Sequence, residues 1–220
     1  MHIHNLSSQD SVLNHFVSEI RDNTIQKDRM RFRKNIERIG EIMAYEMSKA
    51  LNYTPKMVET PLGICDINLF KNDIVICSVL RAGIPLHNGI QNYFDGSDNA
   101  FVSAYRHHDK NNPENFEIIV EYLACPNLEN KTLVLADPML ATGQSLVATF
   151  EALKPSGTPK EIHFMSIIGT KTGIDYVCQH VPKNSHLWIG AIDSTLNNQG
   201  YIVPGLGDAG DLAFGEKLQK

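Results

Sequence analysis

The chain has 220 residues, of which 42% are hydrophobic and 20% are charged, a composition typical of a globular protein with a packed core. Its formal net charge of -5 argues against a dedicated nucleic-acid-binding protein, because such proteins normally carry net positive charge. No stretch reaches the roughly 18 to 20 apolar residues of a membrane-spanning helix, and the opening MHIHNLSSQD lacks the features of a signal peptide. We therefore expect a single domain over residues 1–220, located in the cytoplasm, with neither a membrane nor a nucleic acid as its partner.

Two helical patterns occupy the N-terminal part of the chain. Val12, Phe16 and Ile20 recur at helical spacing and predict a first helix over residues 9–21. A second, longer helix is predicted by an apolar stripe with steps of three or four residues, formed by Phe32, Ile36, Ile39, Met43, Met47 and Leu51. The charged segment between these stripes is expected at the surface.

From about residue 73 the chain changes to short apolar runs, which predict strands. These runs are residues 74–80, 100–105, 116–123, 132–136, 162–169 and 186–192. Together with helical segments near 143–154 and 171–180, they predict an α/β fold with a largely parallel central sheet flanked by helices. The most polar stretch, RHHDKNNPEN at 106–115, is expected to form a loop that acts as a flexible flap.

The first candidate for ligand binding is SVLRAGIPLHNG, residues 78–89. An apolar strand runs into a turn of small residues and then a predicted helix, with Arg81 at the junction. The planar guanidinium group offers a fork of donors that matches phosphate oxygens. An ordinary surface arginine is the alternative interpretation.

The second candidate is LVLADPMLATGQSL, residues 133–146, where a buried strand turns at Asp137 and a helix begins near Gln144. A helix that starts after such a loop presents free N–H groups and the positive end of its dipole, which suits a phosphate. Thr142 and Ser145 add hydroxyl donors, and Asp137 has the chemistry to hold sugar hydroxyls or hydrated Mg²⁺. The alternative is that these three side chains only cap a turn and a helix.

A third motif, GLGDAG at 205–210, matches the dinucleotide-binding pattern G-x-G-x-x-G. That fingerprint requires a preceding strand and a following helix within a unit of about 30 residues. Only ten residues follow Gly210, so we reject a dinucleotide site. We interpret the glycines as allowing the backbone to approach a flat ligand closely.

The four cysteines predict no metal or redox site. Cys65, Cys77, Cys125 and Cys178 form no C-x-x-C pair and lie mostly in apolar segments. We interpret them as reduced, buried thiols.

Three stretches, in order along the chain, resemble the type I phosphoribosyltransferase family and, within it, the uracil phosphoribosyltransferases. Leu80-Arg81-Ala82-Gly83 resembles the family's diphosphate-contacting turn, and residues 137–145 resemble its loop for 5-phosphoribosyl-1-diphosphate (PRPP). YIVPGLGDAGD, residues 201–211, resembles its base-binding tail. The upstream segments IRDNTIQKDRMRFRKNIERIGEIMAYE and ETPLG are also similar, so the resemblance covers nearly the whole chain.

The resemblance implies a type I phosphoribosyltransferase-like fold with a C-terminal hood over the base and a flexible flap. It implies an enzyme that transfers the 5-phosphoribosyl group from PRPP to N1 of uracil, giving UMP and diphosphate in pyrimidine salvage. It further implies Mg²⁺ carried by PRPP without a direct protein ligand, and a homodimer or higher homo-oligomer, and it leaves activation by GTP open. The alternatives are a phosphoribosyltransferase for another base and a non-catalytic regulator that binds PRPP.

The resemblance also implies roles for individual residues. Arg81 and Arg106 would bind the diphosphate, and Asp208 would reach the ribose or the Mg²⁺ shell. The implied catalytic residues are Asp137, Arg81 and Asp208. The ribose 5-phosphate would be bound by Asp137, Pro138, Met139, Leu140, Ala141, Thr142, Gly143, Gln144 and Ser145. Uracil would be contacted, mostly through backbone groups, by Ile202, Gly207, Asp208 and Ala209.

Two positions depart from the family's pattern. Gln144 stands where glycine or alanine is usual, which predicts a stiffer loop or a tighter phosphate pocket. His107-His108 stand where an Asn-Glu pair is expected, and they would alter rate and regulation if these positions take part in closing the flap or in the allosteric response. Both departures bear on rate more than on the identity of the substrate.

Overall fold

The structure is a computed structural model that describes residues 1–71, 73–109 and 112–218; the side chains of residues 105–109 and 112–119 lie outside the described part. Within it the helices are α1 (Val12–Arg21), α2 (Arg29–Ser48), α3 (Ile84–Gln91), α4 (Gln144–Leu153), α5 (Lys171–His180) and α6 (Ala209–Phe214). The strands are β1 (His2–Asn5), β2 (Tyr53–Thr60), β3 (Gly63–Phe70), β4 (Ile74–Leu80), β5 (Asp98–Asp109), β6 (Asn112–Ala124), β7 (Thr132–Ala136), β8 (Met139–Leu140), β9 (Glu161–Thr170), β10 (His186–Asp193), β11 (Thr195–Leu196) and β12 (Ile202–Val203).

The main sheet has the strand order β1-β10-β9-β7-β4-β5-β6, and β8 pairs with β9 beyond the end of β7. Its neighbouring strands are parallel except for β5 and β6, which form an antiparallel hairpin at one edge. Nearly every residue of β4, β7 and β9 is buried. This burial follows from the helices that cover both faces of a parallel sheet, and it explains why these strands are continuous apolar runs. The predicted α/β architecture is confirmed.

Two hydrophobic clusters lie on opposite faces of this sheet. On one face α1, α2, α3 and α6 pack against side chains such as Ile76 and Met165. On the other face α4 and α5 pack against side chains such as Cys77 and Phe164. Successive residues of a strand point to opposite faces, so neighbours such as Ile76 and Cys77 belong to different clusters.

The apolar stripe predicted for the second helix is confirmed along α2. Its buried members, each at most 1% exposed, are Phe32, Ile36, Ile39, Met43 and Met47. Leu51 lies beyond the end of the helix but packs against the same cluster.

The face predicted for the first helix is confirmed at Ile20, which is buried, and at Phe16, which packs partly buried against the core, but it is wrong at Val12. Val12 is 60% exposed, whereas Leu13, Val17 and Ile20 are buried. The helix begins at Val12 because the side chain of Ser11 caps it by accepting a hydrogen bond from the Leu13 N–H. The buried face thus includes Leu13 and Val17 in addition to the predicted Ile20, and Val12 lies outside it.

The loop predicted at 106–115 is too long, because β5 runs to Asp109 and β6 begins at Asn112. Antiparallel pairing uses backbone groups, so polar residues continue a hairpin that hydropathy cannot detect. Residues 110 and 111 lie outside the described part of the chain. The flexibility of the flap remains a prediction.

The prediction of four buried thiols was also wrong in part. Cys77 is buried, Cys125 and Cys178 are partly buried, and Cys65 is exposed on β3. All four are free.

The hairpin of β2 and β3, which the sequence did not predict, forms a separate two-stranded sheet. Nearly all of its residues are exposed. Its last residue, Phe70, contacts Phe94 edge to face with ring centroids 5.5 Å apart, which anchors the base of the hairpin to the main core.

Candidate active site

Two of the three sequence motifs lie side by side at the carboxyl edge of the sheet. Strands β4 and β7 are parallel neighbours, with Ser78 opposite Ala136, so the turn at Arg81 and the loop at Asp137 leave the sheet next to each other. A Cβ atom on Gly83 would lie 2.6 Å from Ser78 Oγ and 2.9 Å from the carbonyl oxygen of Ala136. Only glycine allows the turn to pack this closely against the neighbouring loop.

The Asp137 loop is held rigidly by β9, its other neighbour in the sheet. The Asp137 N–H donates to the carbonyl of Met165 at 3.1 Å, and Ser166 Oγ donates to the carbonyl of Asp137 at 2.6 Å. The carbonyl of Pro138 accepts from the N–H groups of Ile167 and Ile168 at 3.0 and 3.1 Å. Backbone groups thus fix the loop, while the Asp137 carboxyl group accepts from the Met139 N–H at 3.3 Å.

The loop forms a small cup at the start of α4. Its lining residues are Asp137, Met139, Leu140, Ala141, Thr142, Gly143, Ser145 and Leu146. Among the described residues, no side chain makes a normal capping hydrogen bond at this helix start, since the contact from the Gln144 N–H to Thr142 Oγ1 is 3.5 Å long. The first N–H groups of α4 therefore point into the cup with the positive end of the helix dipole, an arrangement that suits an anion.

Gly143 makes this geometry possible. Its φ angle is +81°, in the left-handed region, and a Cβ there would lie 2.7 Å from the carbonyl oxygen of Gly173 on α5. Ala141, two residues before Gly143, is held by the residue that precedes α5, because Thr170 Oγ1 donates to the carbonyl of Ala141 at 2.7 Å. The start of α5 thus packs against the Asp137 loop and fixes its position.

Gln144, one of the two departures from the family's pattern, carries an unsatisfied polar atom. Its side-chain oxygen Oε1 is buried and has no hydrogen-bond partner in the described part of the chain. A buried acceptor without a donor costs about 1–3 kcal/mol, so a donor supplied by bound water or ligand would stabilise it. The side chains of His107 and His108, the other departure, lie outside the described residues.

The third motif, in the C-terminal tail, closes on the Arg81 turn. A Cβ on Gly210 would come within 3.9 Å of Ala82 Cβ, so α6 starts directly beside that turn. Arg81, which follows a cis peptide bond, is partly exposed and donates from Nη2 to Asp211 Oδ1 at 3.1 Å and to the carbonyl of Gly215 at 3.1 Å. The three predicted motifs therefore converge, although the side chain of Arg106 lies outside the described residues.

Asp208 caps α6 and is itself held by charge. Its Oδ1 accepts from the Asp211 N–H at 3.0 Å, and its Oδ2 accepts from Lys217 Nζ at 3.1 Å. Burial by itself raises the pKa of Asp208, but these hydrogen bonds and the Lys217 charge outweigh burial and bring the pKa below its usual range. The group is an anionic acceptor at neutral pH.

Of the four residues predicted to contact uracil, three can offer only backbone groups. The side chains of Ile202 and Ala209 are 5% and 4% exposed and belong to the hydrophobic core. Gly207 is exposed, with φ at +96°. A base bound here would meet N–H and C=O groups, which match the alternating donors and acceptors of a pyrimidine ring edge.

Sequence reasoning missed the residues that hold this tail in place. Arg21, the last residue of α1, donates through Nη1 and Nη2 to the two carboxyl oxygens of Asp193, both at 2.8 Å. Arg21 Nη1 also donates to the carbonyl of Gly205 at 3.1 Å, and the Gly205 N–H donates to Asp193 Oδ2 at 2.8 Å. Burial raises the pKa of Asp193, but the Arg21 guanidinium and the Gly205 N–H lower it below its usual range. Because Arg21 and Asp193 are 172 positions apart, no local pattern could have paired them.

Two negative findings apply to the described residues. They contain no group of three or more His, Cys, Asp or Glu side chains arranged to hold a metal ion. None of their helices is long and apolar enough to span a membrane.

Comparison with known proteins gives a consistent result over the full length. The sequence model of the uracil phosphoribosyltransferase family matches residues 7–216. A curated uracil phosphoribosyltransferase from Porphyromonas gingivalis is 50% identical over 218 residues, which is 99% of this chain and 100% of that protein. A second one, from Pyrococcus furiosus, is 36% identical over 206 residues, which is 92% of this chain and 86% of that protein.

A solved structure also resembles this chain. A protein from Aquifex aeolicus superposes with a TM-score of 0.85 over 99% of this chain and 100% of the other, at 29% identity.

Proposed function

Because the chain belongs to the uracil phosphoribosyltransferase family, we propose that the cup at Asp137, the Arg81 turn and the C-terminal tail are the parts of the molecule that perform that family's reaction. The protein is a phosphoribosyltransferase, which transfers the 5-phosphoribosyl group from PRPP to N1 of uracil and gives UMP and diphosphate. This reaction serves pyrimidine salvage.

The reaction forms a bond between N1 of uracil and the anomeric carbon of PRPP and breaks the bond from that carbon to the diphosphate. Positive charge develops on the ribose as the diphosphate leaves, so the chemistry requires orientation of two substrates and neutralisation of a leaving anion. No covalent enzyme intermediate is needed.

The cup binds the 5-phosphate end of PRPP in this proposal. The uncapped N–H groups at the start of α4, the helix dipole, and the hydroxyl groups of Thr142 and Ser145 all favour an anion there. Asp137 at the mouth of the cup accepts hydrogen bonds from the ribose hydroxyls. Arg81 contributes positive charge to the diphosphate, and Arg106 is proposed to do the same from β5.

The tail holds uracil so that N1 faces the anomeric carbon. Backbone groups of Ile202, Gly207 and Ala209 read the ring edge, and the clamp formed by Arg21 and Asp193 on Gly205 keeps this segment in one position. Asp208 lies two residues before Gly210, which is beside the Arg81 turn, and it is proposed to reach the ribose end of PRPP.

Mg²⁺ is proposed to be carried by PRPP, and it would supply positive charge to the diphosphate there. The oxygen-rich donor set of this site suits a hard cation, because Asp137 and Asp208 are both carboxylates at its rim and the Asp208 pKa lies below its usual range. Asp137 and Asp208 would attract such an ion through their negative charge, and the ion would supply positive charge to the leaving diphosphate.

The observation that carries the proposal is the meeting of the Arg81 turn, the Asp137 loop and the Asp208 tail at one edge of the sheet. The test is direct: purified protein with Mg²⁺, PRPP and uracil should release UMP and diphosphate. Cytosine, orotate and hypoxanthine are assayed in parallel, because only a few tail residues select the base. Turnover with one of these bases and none with uracil would contradict the assignment of the base.

Three broader assignments accompany this proposal. We infer a single domain over residues 1–220, because both hydrophobic clusters pack on one sheet. We infer a cytoplasmic enzyme, and a homodimer or higher oligomer, for which the exposed β2–β3 hairpin is the best-supported contact surface.

Activation by GTP is a further proposal from the family resemblance, tested by UMP formation with and without GTP.

A further inference from the structure

The guanidinium of Arg81 is engaged by groups of the C-terminal tail. Nη2 donates both to the carboxylate of Asp211 and to the carbonyl of Gly215, each at 3.1 Å. Asp211 is thus an anion bound to the arginine that the proposed function assigns to the diphosphate.

This contact affects how Arg81 can bind a phosphate. An arginine grips an anion bidentately either through Nη1 and Nη2 or through Nε and Nη2, and each of these forks uses an N–H of Nη2. Since both hydrogens of Nη2 are directed to Asp211 and Gly215, neither fork is complete. Arg81 can offer its full fork to a diphosphate only after one of the two contacts is released.

A second ion pair in the C-terminal tail, between Lys217 and Asp208, places a positive charge on a proposed ligand-binding carboxylate. Lys217 Nζ lies 3.1 Å from Asp208 Oδ2, so a cation rests on the carboxylate that is proposed to face the Mg²⁺-bearing end of PRPP. Asp211 thus places a negative charge on Arg81, which is proposed to bind the diphosphate, and Lys217 places a positive charge on Asp208, which is proposed to face Mg²⁺. Diphosphate and Mg²⁺ carry the same signs of charge as Asp211 and Lys217, respectively.

We propose that Asp211 occupies, before PRPP binds, the place on Arg81 that the diphosphate takes, and that it thereby sets the affinity for PRPP. The inference rests on the proposed function of Arg81. Diphosphate exchanges with Asp211 by charge alone, without a covalent step. Asp211 is thus a residue that acts through Arg81 and has no role in the chemical step.

The contact is partly exposed, with the Arg81 and Asp211 side chains 41% and 29% accessible, so its strength is that of a surface ion pair. Its removal should therefore change PRPP affinity by roughly two- to fivefold. A role of Asp211 in merely orienting Arg81 would have the opposite sign, because a loosened arginine binds the diphosphate less well.

The experiment measures PRPP dissociation constants with Mg²⁺ by calorimetry in the absence of uracil. Asp211→Asn keeps the size and the backbone N–H that donates to Asp208, and it should tighten PRPP binding. In the UMP assay the same variant should lower the KM for PRPP and leave kcat unchanged or lower. Asp211→Glu retains the carboxylate and should bind PRPP like the wild type.

Two further variants identify the route of the effect. Glu46→Gln removes the partner of Lys49 on α2, an ion pair of similar exposure away from the site, and should leave PRPP affinity unchanged. In an Arg81→Met background, Asp211→Asn should no longer change the affinity, because the proposed competition takes place on Arg81.

The outcomes separate this inference from the function on which it rests. If wild-type protein binds PRPP and forms UMP but Asp211→Asn binds PRPP equally well or more weakly, the exchange is wrong and the proposed function stands. If Asp211→Asn tightens binding equally in the Arg81→Met background, the effect is one of general charge and the inference is also wrong. Failure of the wild type itself to bind PRPP would overturn both.

Discussion

At the scale of single residues, close contacts at the carboxyl edge of the sheet restrict which side chains the site can accept. Gly83 and Gly143 both lie where a Cβ would collide with a neighbouring backbone carbonyl. Asp137 is the reverse case, because its backbone is fixed by β9 while the residue lines the cup. Its role can therefore be tested without disturbing the fold.

Asp137→Asn should lower kcat/KM for PRPP by roughly tenfold or more. Asparagine is nearly isosteric and still accepts from the Met139 N–H, but it loses charge-assisted bonds to ribose hydroxyls that contribute about 1.5–3 kcal/mol. UMP formation at varied PRPP measures the effect, and Asp95→Asn, at an exposed position, is the control. Unchanged kcat/KM would remove Asp137 from the site.

A buried histidine, His163, is expected to destabilise the fold at acid pH. His163 is 1% exposed, its Nδ1 accepts from Trp188 Nε1 at 3.2 Å, and its Nε2 is buried without a hydrogen-bond partner among the described residues. Burial, together with the nearby His186 and His4, lowers the pKa of His163 to about 3. His163 is therefore protonated near pH 6.5 in the unfolded chain but stays neutral at that pH in the folded protein.

The sign of the pH effect follows from that difference. The folded-state pKa lies below the unfolded value, so the stabilisation is complete above about pH 6.5 and is lost as the pH falls toward 3. Each pH unit in this window should cost about 1.4 kcal/mol of unfolding free energy from this one group. Urea unfolding from pH 7.5 to 4.5 should show a flatter profile for His163→Gln than for the wild type. His180→Gln, which changes an exposed imidazole, should keep the wild-type slope.

At the scale of elements, the C-terminal tail depends on α1 and β10 more than on its own short helix. The tail contains only the two-residue strand β12 and the six-residue helix α6. Gly205, between these two elements, is tied to the main body by two hydrogen bonds, one from Arg21 at 3.1 Å and one to Asp193 at 2.8 Å. Two further hydrogen bonds, both of 2.8 Å, hold Arg21 and Asp193 together. The orientation of the proposed base-binding segment is therefore decided by residues outside it.

Asp193→Asn should raise the KM for uracil by about fivefold and change the KM for PRPP much less. An amide can no longer accept from both nitrogens of Arg21, and the loss of a charge-assisted contact at a partly exposed arginine corresponds to about 1 kcal/mol. Steady-state UMP assays with each substrate varied in turn measure the split. Asp98→Asn, which breaks an ion pair with Lys131, is the control for the loss of a charge elsewhere. Equal increases for both substrates would mean that the clamp supports the whole site and not the base segment.

At the scale of the whole molecule, the β2–β3 hairpin exposes apolar side chains that a monomer would leave in water. Met57 and Ile64 lie on the same face of the hairpin and are 69% and 71% exposed, and Leu62 at its tip is 99% exposed. Exposed apolar patches on a projecting element are typical of surfaces that bind another chain. A second copy is the partner expected for a homo-oligomer.

The double substitution Met57→Lys with Ile64→Lys should shift the protein toward a monomer in sedimentation velocity. Two charges on one apolar face oppose its burial, while the main core, which the hairpin contacts through Phe70, is unaffected. Circular dichroism checks the fold, and Met30→Lys, an equally exposed position on α2, serves as the control. An unchanged sedimentation coefficient would place the contact elsewhere.

The sequence by itself determined the α/β architecture and the parts of the site that are local in the chain. A buried parallel strand is a continuous apolar run whatever its neighbours are, so β4, β7, β9 and their loops could be predicted from composition and spacing. Arg81 and Asp137 were found in the same way, since each directly follows such a strand. Their proximity then followed only when β4 and β7 proved to be neighbours.

The tertiary structure decided everything that depends on distant partners. The buried face of α1, the Arg21–Asp193 clamp and the contact of Asp211 with Arg81 join residues far apart in the chain, and no periodicity encodes which of them meet. The exposed hairpin escaped prediction because its pairing is made by backbone groups that every sequence carries. Local patterns report which residues avoid water, whereas the choice among possible partners is made by packing of the whole chain.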